Sequence, residues 1–439
     1  MRTDSTTLQD ISIFHPDEKD SLFHLLDFTR TEGGREELRR LFRNPHNSIS
    51  SIQSTQQLLL ALSAQLEQWP QEITNGTMLV VDKLMDYPLD PIDQHPLSLN
   101  NFFYRWLHAG DYSMLRFSVK HLGDLCRGLE KIAALVKQLE DMEGLRYLLK
   151  RLQVLLEKEP IKRIASKDPL EAFSQKETLY YGRELRGPHK NDVLELMQIY
   201  HRFDASYSMA TAMVKFKCQL PEWVDSDKPV FDATGLYHLM VPTPVTYNLT
   251  LDEQHHFLFL TGANMAGKST LIKAVGAAVY LAHLGMGVPA QKMRISLFDG
   301  ICSNGQVADN IARGESYFFN EVQRIRHTIE TINDGKKWLV LMDEIFKGTN
   351  VEDAMKCSLT VIEGLLGRSG SLFILSTHLY EMAQSLKEKS GISFRYFETG
   401  IQNGELQFTY QLKEGVSNDR IGYLILTREK VVELLKKTE

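Results

Sequence analysis

Nine consecutive residues narrow the choice of fold more than any other feature of the chain: Gly262-Ala263-Asn264-Met265-Ala266-Gly267-Lys268-Ser269-Thr270 fits the pattern GxxxxGK[ST]. The motif follows an apolar run, His256 to Thr261, that reads as a strand, and it precedes a helical run that starts at Leu271. In that setting the glycines let backbone N–H groups curl around phosphate oxygens, and the N-terminus of the next helix adds positive potential. Lys268 then reaches the β- and γ-phosphates, and Ser269 ligates Mg²⁺. The motif predicts a nucleotide site from Gly262 to Thr270 in an α/β domain, with ATP and Mg²⁺ as cofactors.

Two further strand ends belong with it. The apolar run Trp338 to Met342 ends in Asp343 and Glu344. Open α/β sheets bind ligands at the carboxyl ends of their strands. There Asp343 is placed to hold the metal shell and Glu344 to orient or deprotonate an attacking water. The run Leu372 to Ser376 delivers Thr377 and His378 to the same edge, where His378 can hydrogen-bond a γ-phosphate or that water. Between the first two elements lies Asp309 to Phe318, whose Gly314 and Ser316 could close over phosphates at a helix N-terminus.

Upstream the texture is helical. Leu115, Leu122, Leu125, Leu129, Ile132, Val136 and Leu139 recur at helical intervals, and Pro160, Pro169 and the pair Gly187-Pro188 divide the region into several helices. After Pro221, prolines punctuate short pieces that read as strands, Leu239 to Val241 and Val245 to Leu249. The expected boundary lies near 225, with a helical domain at 1–225 and an α/β domain at 226–439. The chain carries 50 Lys+Arg against 56 Asp+Glu, a net of −6, which argues against indiscriminate coating of nucleic acid. Residues 101–220 nevertheless hold 20 Lys+Arg against 15 Asp+Glu. That excess reads either as a solvated helix face or as a surface that attracts phosphate backbones.

Cys126, Cys218, Cys302 and Cys357 form neither a CxxC pair nor a Cys/His cluster, and the N-terminus lacks the basic-then-apolar pattern of a signal peptide. The apolar stretch Leu271 to Ala290 is broken by Lys273 and His283 and reads as a buried helix, not a membrane span. The expectation is a cytoplasmic protein with reduced thiols and no membrane contact.

TGANMAGKST, DNIARGESYFFNE, LVLMDEIFKGTN and STHLYEMA resemble, in order and spacing, the ATPase domain of the MutS mismatch-repair family. The terminal residues Tyr410 to Ser417 and Arg420-Ile421-Gly422 look like the end of that domain. Leu25 to Thr31 with Gly34, Arg35, Leu38, Leu41 and Pro45 is similar to the opening of the family's core domain. The resemblance implies an ABC-type P-loop ATPase domain preceded by an all-α core and lever domain. It also implies a homodimer with ATP at the interface, Ser316 capping the nucleotide held by the partner, and a DNA-dependent ATPase active in mismatch repair or related repair and recombination. Carried over singly, Lys268 and Ser269 match the phosphate and Mg²⁺ contacts, Asp343 and Glu344 the acidic pair, and His378 the γ-phosphate histidine.

The departures from the family shape the expectation. Gly314-Glu315-Ser316-Tyr317 stands where the family usually has Gly-Arg-Ser-Thr, and Ala266 where it usually has Gly. The mismatch-binding N-terminal domain, with its Phe-x-Glu wedge, has no counterpart in the residues from Met1 on. DNA contact is therefore expected to be backbone-led and structure-selective. Glu315 supports a different reading, an ATP-gated scaffold with slow or no hydrolysis that docks protein or RNA, because it sets an anion near the facing phosphates.

Overall fold

The computed structural model describes residues 1–93, 99–305, 317–402 and 405–417. They divide into two compact units, one of residues 26–43 and 53–215, the other of residues 1–25, 44–52 and 216 onward.

Among its described residues, the regular elements of the first unit are all helices. Its longest helix, Ala109–Leu135, buries Leu115, Leu122, Leu125, Leu129 and Ile132, the positions that the periodicity marks. The helix stops at Leu135, and Leu139 falls in a separate 3₁₀ turn, Lys137–Leu139. Side-chain oxygens start two other helices: Thr74 caps Asn75–Asp86 and Ser174 caps Gln175–Arg186, each in a reciprocal capping box.

A buried carboxylate fixes where the unit begins. Asp204, in the helix Lys190–Lys215, accepts hydrogen bonds from the backbone N–H of Arg30 at 2.8 Å, from that of Thr31 at 2.9 Å and from the Thr31 hydroxyl at 2.7 Å. The Thr31 hydroxyl oxygen in turn accepts from the Gly34 N–H at 3.1 Å, which opens the helix Glu32–Arg43. The approach is so close that a Cβ on Gly34 would lie 2.1 Å from the Asp204 carboxylate. Burial raises the Asp204 carboxyl to about 6 against these donors, so the cost of its charge sets in as pH rises from 3.8 to about 6.

The second unit contains two sheets. Its strands are β1 (Glu222–Val224), β2 (Phe231–Leu236), β3 (Tyr247–Leu251), β4 (Phe257–Thr261), β5 (Lys292–Ser296), β6 (Gly300–Asn304), β7 (Trp338–Asp343), β8 (Ser371–Ser376), β9 (Ile392–Gln402) and β10 (Glu405–Glu414). One sheet has the order β1-β5-β2-β3, the other β10-β9-β4-β8-β7-β6. In the larger sheet β9, β4, β8, β7 and β6 are parallel, and β10 closes one end as an antiparallel hairpin. Every residue of β4 and β8 is buried, as expected for parallel strands covered on both faces. Phe257 and Phe373 stack with centroids 5.7 Å apart, in a core completed by Ile325 and Ile332 of the helix Tyr317–Ile332 and Ile362 and Leu365 of the helix Val351–Leu366.

Leu239 to Val241 is a turn, not the strand that its composition suggests. The Val241 N–H donates to the His238 carbonyl at 3.0 Å, the Met240 N–H points to His238 Nδ1 at 3.3 Å, and Pro242 lacks the donor that a ladder needs. The apolar stretch after Leu271 is a buried helix, Lys268–His283. His283 is fully buried and pushed down to about 4 by burial, so it is neutral and accepts the Phe298 N–H at 3.2 Å. Among the described residues no helix is long and apolar enough to cross a membrane.

A boundary at 225 would leave residues 1–25 and 44–52 with the helices; their contacts instead assign them to the sheet-bearing unit. The reason is the open edge of β6. The Arg2 N–H donates to the Asp299 carbonyl, the Ile301 N–H donates to the Arg2 carbonyl, and the Ser303 N–H donates to the Thr7 hydroxyl. Asp10 accepts from the Ser303 hydroxyl and the Gly305 N–H. The N-terminal segment thus satisfies an edge that would otherwise template aggregation. Replacing Asp204 by Ala leaves buried N–H groups in the helical unit without acceptors. It should lower stability by about 3 kcal/mol, read as a reduced urea midpoint.

Candidate active site

The carboxyl ends of β4, β8 and β7 are neighbours. Leu260 pairs with Ser376, and Ser376 with Asp343, so the loop after Thr261, the Thr377-His378 pair and the Asp343-Glu344 pair emerge side by side. Adjacent strands lie about 4.8 Å apart, which puts the three elements within reach of a single small ligand.

The loop after β4 turns on three residues with positive φ: Gly262 at 145°, Met265 at 69° and Gly267 at 109°. Gly267 is the residue before the helix Lys268–His283, whose first N–H groups open toward the loop. A side chain at Gly262 would press on Phe397, and one at Gly267 would stand 3.5 Å from Phe397 and Tyr410. Glycine is thus favoured by conformation at both positions and by space at Gly262. Ala263 and Ala266 are buried in the loop, Asn264 and Met265 are exposed at its tip, and Ser269 and Thr270 lie in the first helical turn, Ser269 exposed.

Lys268 is only 5% exposed. Its ammonium donates to the carbonyls of Gly262 at 2.9 Å and Ala263 at 3.1 Å and stands 3.7 Å from the Glu344 carboxylate. Burial lowers its pKa, and Glu344 and Asp343 act against that shift.

At the end of β7, Asp343 accepts from the Ser376 hydroxyl, and the Glu344 N–H donates to the Ser376 carbonyl at 3.1 Å. Glu344 has φ 58° and Phe346 φ 62°, left-handed conformations that cost energy for residues with a side chain. The Glu344 carboxylate is surrounded by nitrogen: His378 Nδ1 at 3.9 Å, Lys347 Nζ at 3.2 Å and Lys268 Nζ at 3.7 Å. His378, then Lys347 and Lys268, pull the carboxyl down to about 2 against the effect of burial. A carboxylate held that low is a poor proton acceptor near neutrality and a good fixed acceptor for an oriented O–H. His378 itself is half exposed.

The structure thus brings together Gly262 to Thr270, Asp343, Glu344 and His378. Ser316, with Gly314 and Glu315, lies outside the described residues, as do Arg420 to Gly422. Several contributors lie inside the quoted motifs but are given no role there. Ser376 ties β8 to Asp343. Glu321 is 5% exposed and accepts the N–H groups of Lys347 at 2.9 Å and Gly348 at 3.0 Å, fixing the loop that follows Glu344. The Ser417 N–H donates to the Thr261 hydroxyl at 3.0 Å, so the end of the described chain braces the strand before the loop.

Residues 258–433 match the family model described as MutS domain V. This part of the chain is similar to the MutS family. The DNA mismatch repair protein MutS of Lysinibacillus sphaericus is 27% identical over 227 residues, 50% of this chain and 26% of that protein. The proteins of the same name from Listeria monocytogenes and Listeria welshimeri are each 32% identical over 178 residues, 40% of this chain and 20% of theirs. The match thus spans about a quarter or less of these relatives. Every candidate site residue named above lies inside the matched segment.

The depressed Glu344 pKa has a measurable consequence. With a folded value of about 2 against 4.5 for the free side chain, its ion pairs stabilise the fold fully above about pH 4.5, and that stability is lost as pH falls toward 2. The Glu344→Gln protein should melt below the wild type at neutral pH, and the gap should close across that window in thermal denaturation.

Proposed function

We propose that the chain is a MutS-type ATPase with a P-loop domain of the ABC type, which binds ATP with Mg²⁺ at Gly262 to Thr270 and hydrolyses it with Asp343, Glu344 and His378. The observation that carries this reading is the alignment of the three strand ends at one sheet edge, with a buried lysine among them. The donor set fits the cofactors: positive-φ glycines, the opening N–H groups of a helix and a buried ammonium suit a triphosphate. A serine hydroxyl with a strand-end aspartate suits Mg²⁺. Bound Mg²⁺ would offset the charge that develops on the transferring phosphoryl group.

The roles follow from the contacts. The Lys268 ammonium rests on two carbonyls and a carboxylate, weaker partners than phosphate oxygens, and would exchange them for the β- and γ-oxygens. That exchange removes one cation from Glu344, leaving it to hold the attacking water in line from its rigid place after β7. His378, beside Glu344, would contact the γ-phosphate or the same water. Ser269 and Asp343 would hold the metal.

The MutS domain V match and the similarity to DNA mismatch repair proteins support an extension. ATP would sit at a homodimer interface, Ser316 would cap the partner's nucleotide, and nucleotide state would be coupled to opening and closing on DNA in mismatch repair or related repair. The test is steady-state ATPase activity alone and with homoduplex, mismatched and four-way-junction DNA at two salt concentrations. Stimulation by DNA that fades with salt is expected, and its absence with every DNA would remove the coupling. Lys268→Ala should abolish nucleotide binding, whereas Glu344→Gln should bind ATP and lose about 100-fold or more in turnover. Ser316→Ala should lower turnover of the dimer without changing nucleotide affinity of the monomer; unchanged dimer turnover would exclude the trans contact.

A further inference from the structure

The helical unit carries a surface that the ATPase reading does not use. The short helix Leu99–Leu107 leaves Phe102 73%, Trp106 84% and Leu107 63% exposed. The helix Ala109–Leu135 leaves Phe117 53% exposed, and Leu170 in the loop between helices is 94% exposed. Phe117 lines a cleft of about 620 Å³ between these helices and the Pro169–Phe173 loop. Leu170 lines it too, and exposed apolar side chains at a cleft point to an interaction site.

Charge identifies what the cleft suits. Arg105, Arg116 and Lys120 line it, and Glu171 is its single carboxylate among the described residues. Several cations elsewhere in the unit are neutralised, as in Arg127–Asp124, Arg151–Glu195 and Lys158–Asp192. Those of the cleft are not: among the described residues Arg116 and Lys120 have no ion pair, and Arg105 only lies over the Tyr112 ring at 5.7 Å. Like charges converging on a cleft repel one another until an anion enters. An apolar protein partner would bury these cations unpaired, at a large cost. A duplex would satisfy the cations but keep its bases stacked inside, leaving the aromatic rings wet. A flexible single strand supplies both complements at once, phosphates for the cations and unstacked bases for the rings.

We propose that this cleft binds single-stranded nucleic acid, with Phe117 as a base-stacking residue and Arg105, Arg116 and Lys120 as backbone contacts. The site lies wholly within the helical unit and does not depend on the nucleotide site.

The test is fluorescence anisotropy of the full chain with labelled oligonucleotides of about 20 residues, as thymidine DNA, uridine RNA and duplex DNA, at about 50 and 200 mM salt. Single strands should bind about 10-fold or more tighter than duplex, with the DNA and RNA arms naming the preferred sugar. Phe117→Ala should weaken single-strand binding about 10-fold, and Phe117→Tyr should restore it, because the ring is what stacks. Joint replacement of Arg116 and Lys120 by Ala should reduce the salt slope by about 1.4, near 0.7 for each lost phosphate contact. Lys268→Ala should bind single strands like the wild type, so failure of the ATPase reading leaves this result intact. Equal affinity for duplex and single strand would overturn the proposal. So would an unaffected Phe117→Ala protein of unchanged melting temperature, or self-association through this face that Phe117→Ala abolishes.

Discussion

The register of three parallel strands is the constraint on which the site depends. Leu260, Ser376 and Asp343 form one row across β4, β8 and β7, and the loop, the Thr377-His378 pair and the acidic pair leave the sheet just beyond that row. A slip of one residue in either pairing would turn every side chain of the slipped strand to the opposite face. The apolar runs inside β4 and β8 do not prevent such a slip, because both faces are buried. Specific polar ties do: Ser376 to Asp343, the Glu344 N–H to the Ser376 carbonyl, and the Thr377 N–H to the Leu260 carbonyl at 2.9 Å.

Electrostatics adds a second level of order. Lys268, Lys347 and His378 converge on the single Glu344 carboxylate, which leaves it ionised and positioned but weakly basic. The left-handed backbone at Glu344 and Phe346 is strain placed next to this cluster, held by Glu321 beneath the following loop. Strain of this sort persists only where the surroundings over-determine it. Here they do so through a buried carboxylate accepting two backbone N–H groups.

Much of this was legible in the residues themselves. The spacing of Gly262, Gly267 and Lys268 and the acidic end of Trp338 to Asp343 specify local geometry that tertiary context had only to assemble. The heptad-like leucines of Ala109–Leu135 specify a buried stripe in the same way. What stayed hidden rests on contacts distant in sequence. Asp204 meets Arg30 and Thr31 across more than 170 positions, and nothing near Asp204 announces it. Glu321 sits in an ordinary amphipathic helix, so its role under the Lys347-Gly348 loop has no local signature. Leu239 to Val241 has a strand's composition, but the neighbouring proline and the His238 contacts decide for a turn. In Leu99–Leu107 residue type does not separate the exposed Phe102 and Trp106 from the buried Tyr104; only the packing does.

The N-terminal cover on β6 has a consequence for the order of events as the chain is made. Thr7 and Ser303 are hydrogen-bonded across 296 positions, so the first segment emerges from a ribosome long before the strand it completes. The whole helical unit lies between them and can form from contacts already synthesised. Assembly of the chain is therefore nested: the inner unit can close first, while its N-terminal flank waits, exposed to chaperones and proteases, until the sheet that will hold it exists.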